Sequence, residues 1–104
     1  MAKNAVLQSP LYQTPDEQLA YKITTTPWGS SPTSQTAAAY DEDDGAAVTT
    51  TVFASGTPTV SGDVITLRLL KSLTVGHSYR IDVKFTDSDS NIWELFFIVK
   101  CIER

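Results

Sequence analysis

Histidine and cysteine each occur once in the 104 residues, as His77 and Cys101. A single thiol excludes an intramolecular disulfide and any CxxC zinc site. A single imidazole argues against a metal cluster built on histidines. Basic residues are also in short supply. Eight Lys+Arg stand against twelve Asp+Glu, giving a formal net charge of −4 with His neutral and a pI near 4.7. This balance argues against a nucleic-acid partner, whose footprint would be a basic face. No apolar run approaches the ~20 residues of a membrane-spanning helix, so no membrane partner is expected. There is no Gly-rich phosphate loop and no G-x-S-x-G elbow, and the sequence calls for no cofactor. The opening residues do not read as a secretory signal, because Gln8, Ser9 and Pro10 interrupt the apolar run Ala5-Val6-Leu7. Together with the free thiol, this makes the cytoplasm of the producing cell the expected location.

What is present suffices for a core. Hydrophobic residues make up 41 % of the chain and charged residues 19 %, which suits one ordinary folded domain and argues against disorder. Residues 1–20 read as an extended N-terminal arm broken by Pro10 and Pro15, with a turn at Thr14-Pro15-Asp16-Glu17 suited to capping. Leu7, Leu11 and Tyr12 give this arm apolar contacts for docking on a neighbouring subunit; a loose terminus is the other reading. The domain proper is expected over 21–104. Within it, short β-branched and aromatic runs alternate with Gly, Pro, Ser and Asp. Strands are expected at 21–26, 34–42, 48–54, 59–60, 64–69, 78–86 and 92–102. No helical period lasts ten residues. About seven short antiparallel strands with regular turn signals predict an all-β sandwich, although periodicity alone does not separate it from a small barrel.

A local motif narrows the choice. Leu73-Thr-Val-Gly76-His-Ser-Tyr79 sets a leucine, a turn glycine and a tyrosine ahead of the alternating strand Tyr79, Ile81, Val83, Phe85. A chain crossing between sheets leaves backbone groups unpaired, and a phenol can cap one while its ring fills the core edge. The motif resembles the E–F connection of fibronectin type III and related immunoglobulin-like domains, whose tyrosine corner has this form. The wider order is Pro27-Trp-Gly, Ser31-Pro-Thr-Ser34, an acidic loop, Val60-Ser-Gly-Asp-Val-Ile-Thr-Leu67, the corner, and Trp93-Glu-Leu. In this it is similar to small immunoglobulin-like proteins of tailed bacteriophages and prophages. That resemblance implies a virion-associated head or tail component and carries over no catalytic residue.

Four groups of residues are candidates for chemistry or contact. Asp41-Glu-Asp-Asp44 and Asp87-x-Asp89-x-Asn91 are acidic loops expected at one end of the sandwich. Asp41, Asp43, Asp87 and Asp89 are weak metal candidates there, Ca²⁺ being the natural ion. Asp87-x-Asp89-x-Asn91 opens like an EF-hand loop but lacks its glycine and its final glutamate, so solvated turns are the plainer reading. The other end is expected to gather Lys71, His77, Arg68 and Arg80, a charge asymmetry that would favour head-to-tail contact between copies. In the last strand, Trp93, Leu95, Phe97, Val99 and Cys101 share one face, with Phe96 and Ile98 on the other. Phe96 and Ile98 would therefore be covered by the arm, shifted by a bulge, or buried on another subunit. Trp28 is either a core plug or an interface anchor. The expected function is a non-enzymatic assembly module, a homo-oligomer or a partner of other virion proteins. The alternative is a carbohydrate- or calcium-binding sandwich using Trp28, Tyr40 and the acidic loops. No catalytic residue is assigned.

Overall fold

The computed structural model describes residues 4–5, 11–26 and 28–103, with side chains from residue 11 onward. Val6, Leu7, Pro10 and Pro27 lie outside the described residues. Among the described residues, eight strands and one helical turn follow in order: β1 (Asn4–Ala5), β2 (Leu11–Gln13), β3 (Lys22–Thr24), β4 (Thr33–Asp41), α1 (Thr49–Val52), β5 (Thr59–Ser61), β6 (Val64–Thr66), β7 (Ser78–Thr86) and β8 (Ile92–Cys101). They form two sheets. In the larger, β1 and β2 both pair with β8, followed by β7 and β4; in the smaller the order is β3-β6-β5.

The clearest alternation in the sequence makes the longest ladder. β7 and β8 pair antiparallel from Ser78↔Lys100 to Thr86↔Ile92 without a register shift. Tyr79, Ile81, Val83 and Phe85 point inward against Leu95, Phe97, Val99 and Cys101, all buried. From the smaller sheet Ile23 and Ile65 close over them, with Leu67 just past β6 and Leu70 and Leu73 at the crossing. A period of two in the side chains thus becomes one packed layer between two sheets.

The N-terminal segment belongs to this core. Leu11↔Val99 and Gln13↔Cys101 place β2 parallel along the edge of β8. Gln13 is fully buried. Its Nε2 donates to the Leu70 carbonyl at 2.7 Å and the Glu17 carbonyl at 2.9 Å, while its Oε1 accepts the Tyr21 hydroxyl at 2.8 Å. Such a polar core residue is tolerated because its hydrogen bonds are made. At Thr14–Glu17 the chain makes the expected turn. The Glu17 amide donates to the Thr14 carbonyl, and the Glu17 carboxylate accepts the Thr14 amide at 2.8 Å. This is the reciprocal half of a capping box.

One expected strand is corrected. Residues 48–54, rich in β-branched threonine, do not extend; Thr49–Val52 form a helical turn in which Val52 and Phe53 bond back to Val48 and Thr49. The cause is burial. Val52 and Phe53 are consecutive and both buried, whereas a strand would turn one of them to solvent. Packing overrides propensity here.

Candidate functional site

Three places in the fold gather chemistry-bearing side chains: the two ends of the sandwich and the outer face of the larger sheet. The antiparallel register of β4 on β7 fixes the ends. Asp41 lies opposite Tyr79 and Thr33 opposite Thr86. The 41–45 loop therefore meets the turn before β7, and the 87–91 loop sits at the other end of the strands. This corrects the expectation that both acidic loops share one pole. The helical turn at Thr49–Val52 is the reason: β5, β6 and β7 carry the chain across the sandwich three times between the two loops, where the expected strands at 48–54, 59–60, 64–69 and 78–86 would carry it four times.

At the first end the Asp41 carboxylate lies 2.7 Å from His77 Nδ1, and Asp43 Oδ2 lies 3.5 Å from the same nitrogen. His77 thus joins the acidic loop and does not form a basic pole with Lys71, Arg68 and Arg80. Arg80 turns instead to Asp82, at 3.1 Å, with its guanidinium 4.8 Å above the Tyr40 ring. Arg68 donates from Nε to the Ser55 carbonyl at 3.1 Å. With bases and acids mixed in this way, the proposed head-to-tail asymmetry loses its basis.

The titration of the pair follows from its contacts. Burial by itself would raise Asp41, but the hydrogen bond from His77, the Asp43 amide and the imidazolium charge together hold it below the usual carboxylate range. His77 is raised by its hydrogen bond to Asp41, partly opposed by desolvation, with further help from the charges of Asp41, Asp43 and Asp44. Donor atoms of Asp41, Asp43 and His77 lie within 4.8 Å of one another. These are the side chains that could share a cation, and the imidazole would favour a transition metal over Ca²⁺. The sequence spacing alone hid this grouping, because it joins residues 36 apart in the chain.

The same turn holds the corner. Tyr79 is buried, and its hydroxyl accepts the Thr74 amide at 2.8 Å. Leu73 is buried beneath the turn, and Gly76 adopts φ +87°, a conformation costly to any residue with a Cβ. His77 stacks on Tyr79 with ring centroids 6.4 Å apart.

At the second end Asp87 is a buried hub. It accepts the Trp93 indole N–H at 2.9 Å, the Asp89 and Asn91 amides at 2.9 Å each, and the Asn91 side-chain amide at 3.3 Å. The Trp93 hydrogen bond leads in holding its carboxyl low, against some desolvation, with the Asn91 and Asp89 donors adding to it. Asp89 is exposed. Asp63 joins this end across the sheets, accepting the Ser31 amide at 3.0 Å and the Thr26 hydroxyl at 3.1 Å. Gly29 is required where it stands, since a Cβ there would lie 2.5 Å from the Asp87 side chain. Trp28 is half-buried and packs against the core. Asp87 and Asp89 therefore do not meet Asp41 and Asp43.

The third place is the outer face of β8, β7 and β4. Rows across it read Ile98–Arg80–Tyr40, Phe96–Asp82–Ala38 and Glu94–Lys84–Thr36. Phe96 and Ile98 are half-buried; Tyr12, beside Lys100, is 49 % exposed and Ile92 46 %. Leu11 points the other way, toward the core. Cys101 is buried, and burial raises its thiol. Comparisons with protein-family models, curated proteins and solved structures return no match for this chain.

Proposed function

We propose that this chain is a non-enzymatic immunoglobulin-like module that works through protein–protein contacts, as a head or tail component of a tailed-phage virion. The strand order supports the immunoglobulin-like part. With β3, β6 and β5 read as B, E and D, and β4, β7 and β8 as C, F and G, the strand order is compatible with such a sandwich. The N-terminal segment runs parallel to G, and the Tyr79 hydroxyl bond supplies the corner.

The observation that carries the functional part is the outer sheet face. Phe96, Ile98, Tyr12, Tyr40 and Ile92 surround the paired charges Arg80 and Asp82. Aromatic and aliphatic side chains around an arginine are what specific interface cores are made of. The carbohydrate-binding alternative draws less support, since Trp28 packs on the core and the carboxylates divide between the two ends.

Sedimentation equilibrium over a concentration series tests this reading. We expect self-association that Phe96→Lys and Tyr12→Glu each weaken about tenfold or more, the loss of one interface anchor. A wild-type chain that remains monomeric at millimolar concentration, with no virion protein bound in pairwise assays, overturns it.

A further inference from the structure

The helical turn that replaces the expected strand at 48–54 leaves β4 incompletely paired. On the side away from β7, the Val48 amide donates to the Ala39 carbonyl at 2.9 Å, and the Ala39 amide donates to Thr49 Oγ1 at 3.0 Å. Asp41 likewise meets Ala46 and Gly45 through its amide and carbonyl. Backbone groups alternate sides along a strand, so Ala37 turns its N–H and C=O to the same side as Ala39 and Asp41. Among the described residues, no strand or bridge lies against Ala37 there. An unpaired edge of this kind is a template for an added strand.

Beside Ala37 opens a cavity of about 180 Å³, with Phe53, Ala54 and Pro58 as apolar walls and Thr50 and Ser55 at the rim. Binding sites for whole small molecules run to roughly 300–1,000 Å³, so this one suits a single aliphatic side chain. Arg68 also lines it. Its Nε is held by Ser55, and among the described residues its guanidinium makes no ion pair. An open backbone position, a hole for one side chain and a free cation on the same flank define the ligand by complementarity.

We propose that the β4 edge at Ala37 binds an extended acidic peptide as an added strand. One of its residues exchanges two backbone hydrogen bonds with Ala37. An aliphatic side chain fills the cavity over Phe53 and Pro58, and a carboxylate two residues along, on the same face, reaches Arg68. This surface is separate from the outer sheet face, so the two proposals fail independently.

The probe is the acetylated, amidated peptide Ser-Leu-Thr-Asp-Ser, titrated into the ¹⁵N-labelled full chain. The Ala37 amide should shift together with those of Phe53, Ser55 and Arg68, with a Kd in the millimolar range or below. Arg68→Gln, a change at an exposed position, should weaken binding about fivefold, the weight of one partly exposed ion pair. Replacing the peptide aspartate with lysine should act in the same direction. Methylating the leucine nitrogen should remove binding without any change to the protein. An Ala37 amide unmoved at millimolar peptide, an N-methylated peptide that binds as well as the parent, or an Arg68→Gln chain with unchanged affinity each overturns the proposal.

Discussion

Asp41 and Asp87 sit at opposite ends of the sandwich, and each is 7 % exposed. Both accept a side-chain donor and their own loop's backbone, and both are held below the ordinary carboxylate range. They differ in the donor. Asp87 faces an indole and amides that keep their protons at every pH of interest. Asp41 faces His77, whose proton is exchangeable near neutrality. One end is therefore a fixed clamp and the other a titratable one, although both are made of the same residue at the same depth.

The largest expected effect breaks the fixed clamp by crowding. Gly29→Ala would drive a Cβ to 2.5 Å from the Asp87 side chain, which is held in place by four donors. Overpacking of this kind costs about 1–3 kcal/mol, and near this size each kcal/mol lowers Tm by roughly 4–8 °C. Thermal melts measure it. A Tm within a degree of wild type would mean that the 87–91 loop yields and is no clamp.

Next comes the corner at the titratable end. Tyr79→Phe removes the acceptor of the Thr74 amide and keeps the buried ring. The loss of one such bond should cost about 1 kcal/mol, nearer 2 if the amide stays dry. If Tyr79→Phe proves neutral, the phenol contributes only its packing.

Much of this architecture is legible in the residues themselves. The β7 and β8 ladders follow from strict alternation in Tyr79–Phe85 and Trp93–Cys101, because a buried two-residue period admits one register. The corner follows from Leu73, Gly76 and Tyr79. Three features are not legible that way. Residues 48–54 have strand propensity, yet the need to bury Val52 and Phe53 together turns them into a helix. Gln13 falls in the expected arm, yet three hydrogen bonds, one of them to Leu70 far along the chain, make it core. The pairing of Asp41 with His77 depends on which strand lies beside which, and local pattern carries no information about order across a sheet.

A third experiment follows the titratable end through pH. The folded pKa of His77 lies above its ordinary 6.5, so its contribution is complete below that value and is lost as pH rises through the folded pKa. The folded pKa of Asp41 lies below 3.8, so its contribution is complete above that value and is lost as pH falls through the folded pKa. The two windows overlap between about pH 4 and 6.5, where the charged pair stabilises most. Thermal melts from pH 5.5 upward should show wild type losing Tm relative to His77→Gln, the gap narrowing as the imidazole discharges. A constant gap would show that His77 acts through its hydrogen bond and its stacking on Tyr79 alone.

The smallest change with pH belongs to the other end and gives the comparison its control. Trp93→Phe deletes the indole donor, the leading cause of the low Asp87 pKa, and leaves the loop amides in place. Followed by carboxyl NMR, Asp87 should titrate at higher pH than in wild type while Asp41 stays where it was. Between pH 5.5 and 8 the Tm of this variant should run parallel to wild type, because the Asp87 end holds no histidine. Were the two melting curves to converge instead, the ends would be coupled through the β7–β8 ladder. The pH response would then belong to the whole sheet and not to the His77 clamp alone.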